Sequence, residues 1–435
     1  MTEGLREELV ALDKRHVWHP YTPMDRYLAE TDPLVVASAE GAWLTDVDGR
    51  RYLDANSAWW VASLGHRHPA LVAALRAQLD TLAHCALAGI THEPAARLAA
   101  ELCAVAPAGL QRVFFSDDGS TALEVAIKLC GQFHAQNGAP RRTRFVALDG
   151  AFHGETLGAT SLGGVSAFTR VFGPWTFDVL RVPHAGDGTS WERCLDAARA
   201  LFRAHGDDVA ALVVEPMVQG AAGMRMQPSW FLRGLCDAAR DAGAFVVADE
   251  VFTGLYRTGA RWACDLAGVV PDVLCLAKAL SGATVPFAAT LATERLFDGF
   301  RGADDRAFFY GHTYCGNPLG AAVARAALRA YADEDVAGQV ARKAPRIAAA
   351  FARMAELPGV GNARALGMIG AVDLGAGGYL ARRGWRVSEA ARARGIYLRP
   401  LGDTVYVTPP LNIPDGELTV LLDGVEDSLR EALRS

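Results

Sequence analysis

The stretch Phe245-Val-Val-Ala-Asp249-Glu250-Val-Phe-Thr-Gly254, followed by Asp272-Val-Leu-Cys-Leu-Ala-Lys278, decides the fold. Each half is a short, unbroken apolar run that ends in an ionisable residue. Continuous apolar strands belong to mainly parallel sheets covered on both faces, and ligands of such sheets sit at the strands' carboxyl ends. Asp249 and Lys278 both fall there, an acid and an amine able to take opposite sides of one small polar ring.

Working outward, Arg112–Phe115, Arg144–Leu148 and Ala210–Val214 repeat the pattern, with helical periodicity between them. The expectation is an α/β chain whose large domain, residues 61–330, carries a mainly parallel central sheet. Residues 1–60 read as an opening helix (Glu3 to His16) and short strands that join a smaller domain. Residues 331–435 supply the rest of that α+β domain, beginning with a long helix from Asp333 to Met354.

Composition narrows the function. Of 435 residues, 51% are hydrophobic and 21% charged, which fits an ordered globular chain. Lys plus Arg (43) against Asp plus Glu (49) leaves a net charge of −6, so neither nucleic acid nor anionic lipid is an expected partner. The N-terminus lacks a basic segment followed by an apolar one, and no apolar stretch is long enough to span a bilayer, so a cytoplasmic location is expected. The eight cysteines form no CxxC pair and read as reduced thiols. His66-Arg-His68 and Thr91-His92-Glu93 lack metal-ligand spacing and read as turn and cap residues.

Four further features bear on chemistry, each with an ordinary reading beside it. Gly119, Ser120 and Thr121 open the helical run Ala122–Lys128, where free N–H groups suit a phosphate but also an ordinary cap. Phe152, in Ala151-Phe-His-Gly-Glu-Thr156, can stack on a flat ring or pack in the core. Asp249 needs a partner to offset desolvation, which a protonated ring nitrogen would provide. Lys278 is either a desolvated nucleophile or a lysine snorkelling to the surface.

Together these motifs resemble the class III, fold-type I pyridoxal-phosphate aminotransferases, and the likeness covers almost the whole chain. By that resemblance Lys278 and Asp249 are the catalytic pair: Lys278 carries the cofactor on its amine and Asp249 pairs with the pyridine nitrogen. Phe152 stacks on the ring, and Gly119 and Ser120 hold the phosphate. Glu215, in Val-Val-Glu215-Pro-Met-Val-Gln219-Gly, lies beside the cofactor. In Gly311-His312-Thr313-Tyr-Cys-Gly-Asn-Pro318, Thr313 reaches the phosphate of a neighbouring subunit, with His312 on the cofactor side and Gly311 on the substrate side. A homodimer with shared sites is implied.

Within the class the chain is similar to the biotin-pathway branch, which aminates 7-keto-8-aminopelargonate. The motifs are Arg15-His-Val-Trp-His-Pro-Tyr21-Thr, Asn56-Ser-Ala-Trp59-Trp60, Ala88-Gly-Ile-Thr-His92 and Leu398-Arg399-Pro400. The resemblance puts Tyr21, Trp59, Trp60 and Phe152 beside the substrate, Arg399 on the acceptor's carboxylate and Arg257 on the donor's. Outside the family, Trp59-Trp60 reads as core and Arg399 as a surface charge. Phe152, Glu155 and His312, positions near the donor, stand where the adenosylmethionine-dependent members often carry Tyr, Asp and Pro; S-adenosylmethionine is the favoured donor by family frequency, and these departures leave lysine as the alternative. Rival readings are a class III transaminase of ω-amino acids and a non-catalytic ligand sensor. A Rossmann dehydrogenase is disfavoured, because Gly163-Gly164 and Gly220-Ala-Ala-Gly223 do not give GxGxxG spacing.

Overall fold

The computed structural model describes residues 4–185 and 188–434. Its centre is a seven-stranded sheet: β1 (Leu110–Ser116), β2 (Arg144–Leu148), β3 (Val179–Val182), β4 (Val209–Val214), β5 (Phe245–Asp249), β6 (Val273–Leu276) and β7 (Ala288–Thr293). They lie in the order β1-β7-β6-β5-β4-β2-β3. β3, β2, β4, β5 and β6 run parallel, while β7 is antiparallel to both β6 and β1. The architecture is α/β with a mixed, mainly parallel sheet, as expected.

Alternation along the strands explains why they read as unbroken apolar runs. Val146, Leu212, Val246, Ala248, Leu274 and Leu276 enter one core, while their neighbours Phe145, Val213, Val247, Val273 and Cys275 enter another. The second core is sealed by the helix Gly119–Gln136 through Ala122, Leu123, Val125 and Ala126. With both faces buried, no position of β4 or β5 can be polar until the strand ends.

The chain's two ends meet in a separate sheet. Val36–Glu40, Trp43–Asp46 and Arg51–Asp54 pair antiparallel, and Ile396–Tyr397 adds to Arg51–Asp54 in parallel. A third sheet of Gly361–Leu366, Ile369–Asp373 and Thr404–Val407 packs on the helix Val336–Met354, which in turn packs against Asp415–Ala432. The helix expected from Asp333 starts at Val336 instead. Asp335 is its cap, in the left-handed region at φ 47°, and its side chain accepts the Gly338 N–H. His92 does cap the helix Glu93–Val105, accepting the Ala95 N–H, while His66 and His68 pair with Asp54 and Glu334. No helix among the described residues is long and apolar enough to cross a membrane.

Candidate active site

Because β5 and β6 are neighbours in parallel register, with Asp249 opposite Cys275, their carboxyl ends open at the same edge. A cavity of ≈ 460 Å³ lies there, lined among others by Gly119, Ser120, Phe152, Glu215, Asp249 and Lys278. The acid and the amine that the sequence singled out thus bound one space.

Lys278 leaves β6 with a left-handed backbone, φ 44°. Part of its side chain is open to the cavity, while protein surrounds its ammonium. Nζ stands 4.6 Å from the Trp60 ring centroid and 5.7 Å from that of Phe252. Burial pushes its pKa down to about 8, opposed by the negative fields of Asp249 and Glu215. Such a lysine loses its proton far more easily than a surface one.

Asp249 is buried and held from two sides: Val251 N–H donates to Oδ1 (3.1 Å), and His153 Nδ1 lies 2.8 Å from Oδ2. His153 is itself buried, and its Nε2 has no partner. Behind Phe152, Glu215 accepts the Phe152 and Gly220 N–H groups at 3.0 and 2.9 Å. Burial pushes the Glu215 carboxyl up to about 7; His153 opposes this and Asp249 reinforces it.

At the other end of the cavity the 18-residue helix begins at Gly119. Asp118 accepts the Thr121 N–H (2.9 Å) and Thr121 Oγ1 accepts the Asp118 N–H (3.1 Å), so the ordinary capping reading holds. The first residues, Gly119 and Ser120, nevertheless line the cavity. A Cβ on Gly119 would come within 2.8 Å of Val251, so the close approach of helix and strand end requires glycine. An acid, an amine, an aromatic face and a helix N-terminus around one cavity match a flat cationic ring that carries a phosphate and an aldehyde.

A second chamber of ≈ 270 Å³ shares Trp60, Phe152 and Lys278 with the first, and is walled by Tyr21, Trp59, Phe168, Tyr379 and Leu401. Its aromatic rings touch edge to face: Tyr21 on Trp59 (5.5 Å) and Phe168 (5.2 Å), Phe168 on Tyr379 (4.6 Å). The Tyr21 hydroxyl donates to Glu155. Just beyond, the Arg399 guanidinium lies 4.2 Å above the Trp59 ring with a buried, unpartnered Nη1.

The other expected residues lie outside these two chambers. Arg257 is buried, donates to the Pro409 carbonyl (2.7 Å) and has an unpartnered Nη2; burial pushes its pKa down to about 10. Gly311, His312 and Thr313 are exposed, with His312 Nδ1 3.6 Å from Asp117, a wall of the first cavity. Three residues were not anticipated. His153 adjoins Phe152, and a histidine inside a turn rich in small residues was the available signal. Phe168 and Tyr379 carry no local signal, since each meets the site only through tertiary packing.

The fold and the site define a fold-type I aminotransferase dependent on pyridoxal phosphate, and the chain belongs to the class-III aminotransferase family, whose profile matches residues 27–429. It is 44% identical to the adenosylmethionine-8-amino-7-oxononanoate aminotransferase of Nitratidesulfovibrio vulgaris, over 97% of this chain and 81% of that one. Identity to the enzyme of the same name from Geobacter sulfurreducens is 39%, over 96% of each. The crystal structure of the enzyme of that name from Methanocaldococcus jannaschii superposes with a TM-score of 0.93 at 32% identity, covering 98% of this chain and 99% of that one.

Proposed function

We propose that this chain aminates 7-keto-8-aminopelargonate to 7,8-diaminopelargonate, a step of biotin biosynthesis, with S-adenosylmethionine as amino donor. One observation carries the reading: an aromatic chamber runs from Lys278 to an arginine stacked on Trp59 with a free donor. That shape suits an aliphatic chain with a ketone near one end and a carboxylate at the other. Relatives that share a third or more of the sequence bear the names of this donor and acceptor.

When bound, pyridoxal phosphate supplies a protonated ring that takes up the electron pair of a breaking C–H bond. Asp249, fixed by His153 and the Val251 N–H, would hold the proton on the ring nitrogen. Phe152, its N–H held by Glu215, would stack on the ring. Gly119 and Ser120, at the helix start that lines the cavity, would give N–H groups to the phosphate. Lys278 Nζ would anchor the cofactor and, as a free amine, would move the proton of the substrate's amine-bearing carbon, a task suited to its lowered pKa. Tyr21, Trp59 and Trp60 pack the acceptor's methylenes, Arg399 takes its carboxylate, and Arg257 serves the donor's. Thr313, exposed on its own chain, reaches the phosphate of a second copy, with Gly311 and His312 at the same junction, so a cytoplasmic homodimer shares two sites. Residues 61–330 form the large domain, with 1–60 and 331–435 making the small one.

Lysine is the second donor considered, on account of Phe152, Glu155 and His312. Either donor brings a cation, sulfonium or ammonium, toward the wall where Tyr21 meets Glu155. The test mixes the cofactor-loaded protein with each donor and then with the keto acid, following absorbance of the bound cofactor. Bleaching by S-adenosylmethionine and recovery with 7-keto-8-aminopelargonate is the expected result. Bleaching by lysine alone overturns the donor; turnover of an ω-amino acid with pyruvate, and none of the keto acid, overturns the acceptor.

A further inference from the structure

Ser57, Ala58, Trp59 and Trp60 all have positive φ, at 49°, 47°, 63° and 79°. They form one turn of left-handed helix, closed by Trp60 N–H to the Asn56 carbonyl (2.7 Å) and Val61 N–H to that of Ser57 (2.8 Å). None is glycine, and in L-residues this conformation crowds Cβ against the following carbonyl. Four in succession persist only where the surroundings over-determine them.

The surroundings do so from both ends of the chain. Buried Asp54 accepts the N–H groups of Asn56 (3.0 Å) and Ala58 (2.6 Å), and Ser57 Oγ donates to the Thr408 carbonyl (2.7 Å). Asn56, also buried, faces the C-terminal strand region: its Oδ1 accepts the Arg399 N–H at 2.6 Å, and its Nδ2 donates to the Tyr406 carbonyl at 3.3 Å. The Trp60 indole N–H donates to the Tyr406 hydroxyl (3.1 Å). One strained turn thereby sets two aromatic faces: Trp59 under the Arg399 guanidinium and Trp60 against Lys278 Nζ.

We propose that this turn is a ruler for the acceptor, and that Asn56 is the positioning residue that fixes the distance between Arg399 and Lys278. The inference rests on the reading of Arg399 as the carboxylate site and goes beyond it by naming what selects the chain length. Asn56 touches neither reacting group; it ties the backbone of Arg399 to the turn that carries the tryptophans. Lys278 is carried by its own strand end, so a loosened turn degrades the match to an acid of fixed length far more than the donor's reaction.

The test reads the two half-reactions separately in the cofactor-loaded protein, with Asn56→Ala and Ala58→Gly. Expected for both is a rise of at least about tenfold in the acceptor's apparent KM, with donor half-reaction rates within about twofold of the parent. Preference for the natural chain length over keto acids one or two methylenes shorter should flatten as well. Ala58→Gly guards against misfolding, because glycine relieves the strain at φ 47° and keeps the fold, while its wider backbone freedom lets the turn leave this geometry. A folded Ala58→Gly protein with unchanged acceptor KM and chain-length preference overturns the proposal, as does an equal loss in both half-reactions. If the parent ignores 7-keto-8-aminopelargonate, the functional reading falls instead. The same comparison, run with whichever carboxylated ketone the parent accepts best, still decides the ruler.

Discussion

Replacing Lys278 by methionine should stabilise the cofactor-free protein at neutral pH. The unfolded chain holds the lysine proton up to its ordinary pKa of 10.5, whereas the folded protein releases it at about 8, chiefly because burial disfavours the charge. Between those values the unfolded state binds more protons than the folded one, so stability climbs as pH rises from about 8 to 10.5; below 8 the full penalty stands. At about 1.4 kcal/mol for each tenfold change in proton affinity, the penalty reaches about 3 kcal/mol. Part of the side chain is open to the cavity, and water entering there reduces the figure to about 2 kcal/mol. Methionine is close in volume though one atom shorter, and it replaces the ammonium that faces Trp60 and Phe252 with an uncharged thioether and methyl. Denaturant unfolding of both cofactor-free proteins across pH 6–10.5 gives the comparison. Expected is a variant more stable by about 2 kcal/mol at pH 7, with the gap closing above pH 8. A variant less stable than the parent at pH 7, or a gap flat across this range, refutes the reasoning.

His153→Phe removes a charge-assisted bond to Asp249 and should slow both half-reactions about ten- to a hundredfold, measured by stopped-flow absorbance, with little change in acceptor KM. Arg399→Lys loses the planar fork over Trp59 and should raise the acceptor's KM about tenfold while sparing the donor half-reaction. Glu250 accepts from Ala263 N–H (3.0 Å), Cys264 N–H (2.8 Å) and Thr253 Oγ1 (2.9 Å), all buried. Glu250→Ala should therefore cost about 3 kcal/mol in denaturant unfolding, because three donors lose their acceptor.

Much of the central sheet was legible because a strand buried on both faces leaves a contiguous signature. Phe245–Ala248 and Val273–Leu276 each alternate between two apolar cores, so neither needs a polar position to reveal its edges. Asp249 and Lys278 were legible for the complementary reason, an ionisable residue where an apolar run stops. Less visible were contacts made across long separations. Ile396–Tyr397 joining Arg51–Asp54, or Tyr379 closing on Phe168, depends on packing that no window of sequence contains. The helix expected from Asp333 begins later because a left-handed Asp335 resets its start, and aspartate gives only a weak hint of that conformation.

The same blindness to handedness explains why Trp59-Trp60 could be read as substrate wall but not as a strained turn. Composition marks a left-handed residue only when glycine or asparagine occupies it, and Ser57-Ala-Trp-Trp60 has neither. The strain, about 1–2 kcal/mol for each such residue, has to be offset by bonds to Asp54 and Thr408 and by the Arg399 N–H bond to Asn56. Those partners lie as far as 351 positions apart in the chain. A conformation that local sequence disfavours and distant sequence enforces is expected where position matters more than stability. Here it lies between the arginine and the lysine that the acceptor would have to span. Simple packing does not account for the turn, since it buries Trp60 but leaves Trp59 exposed.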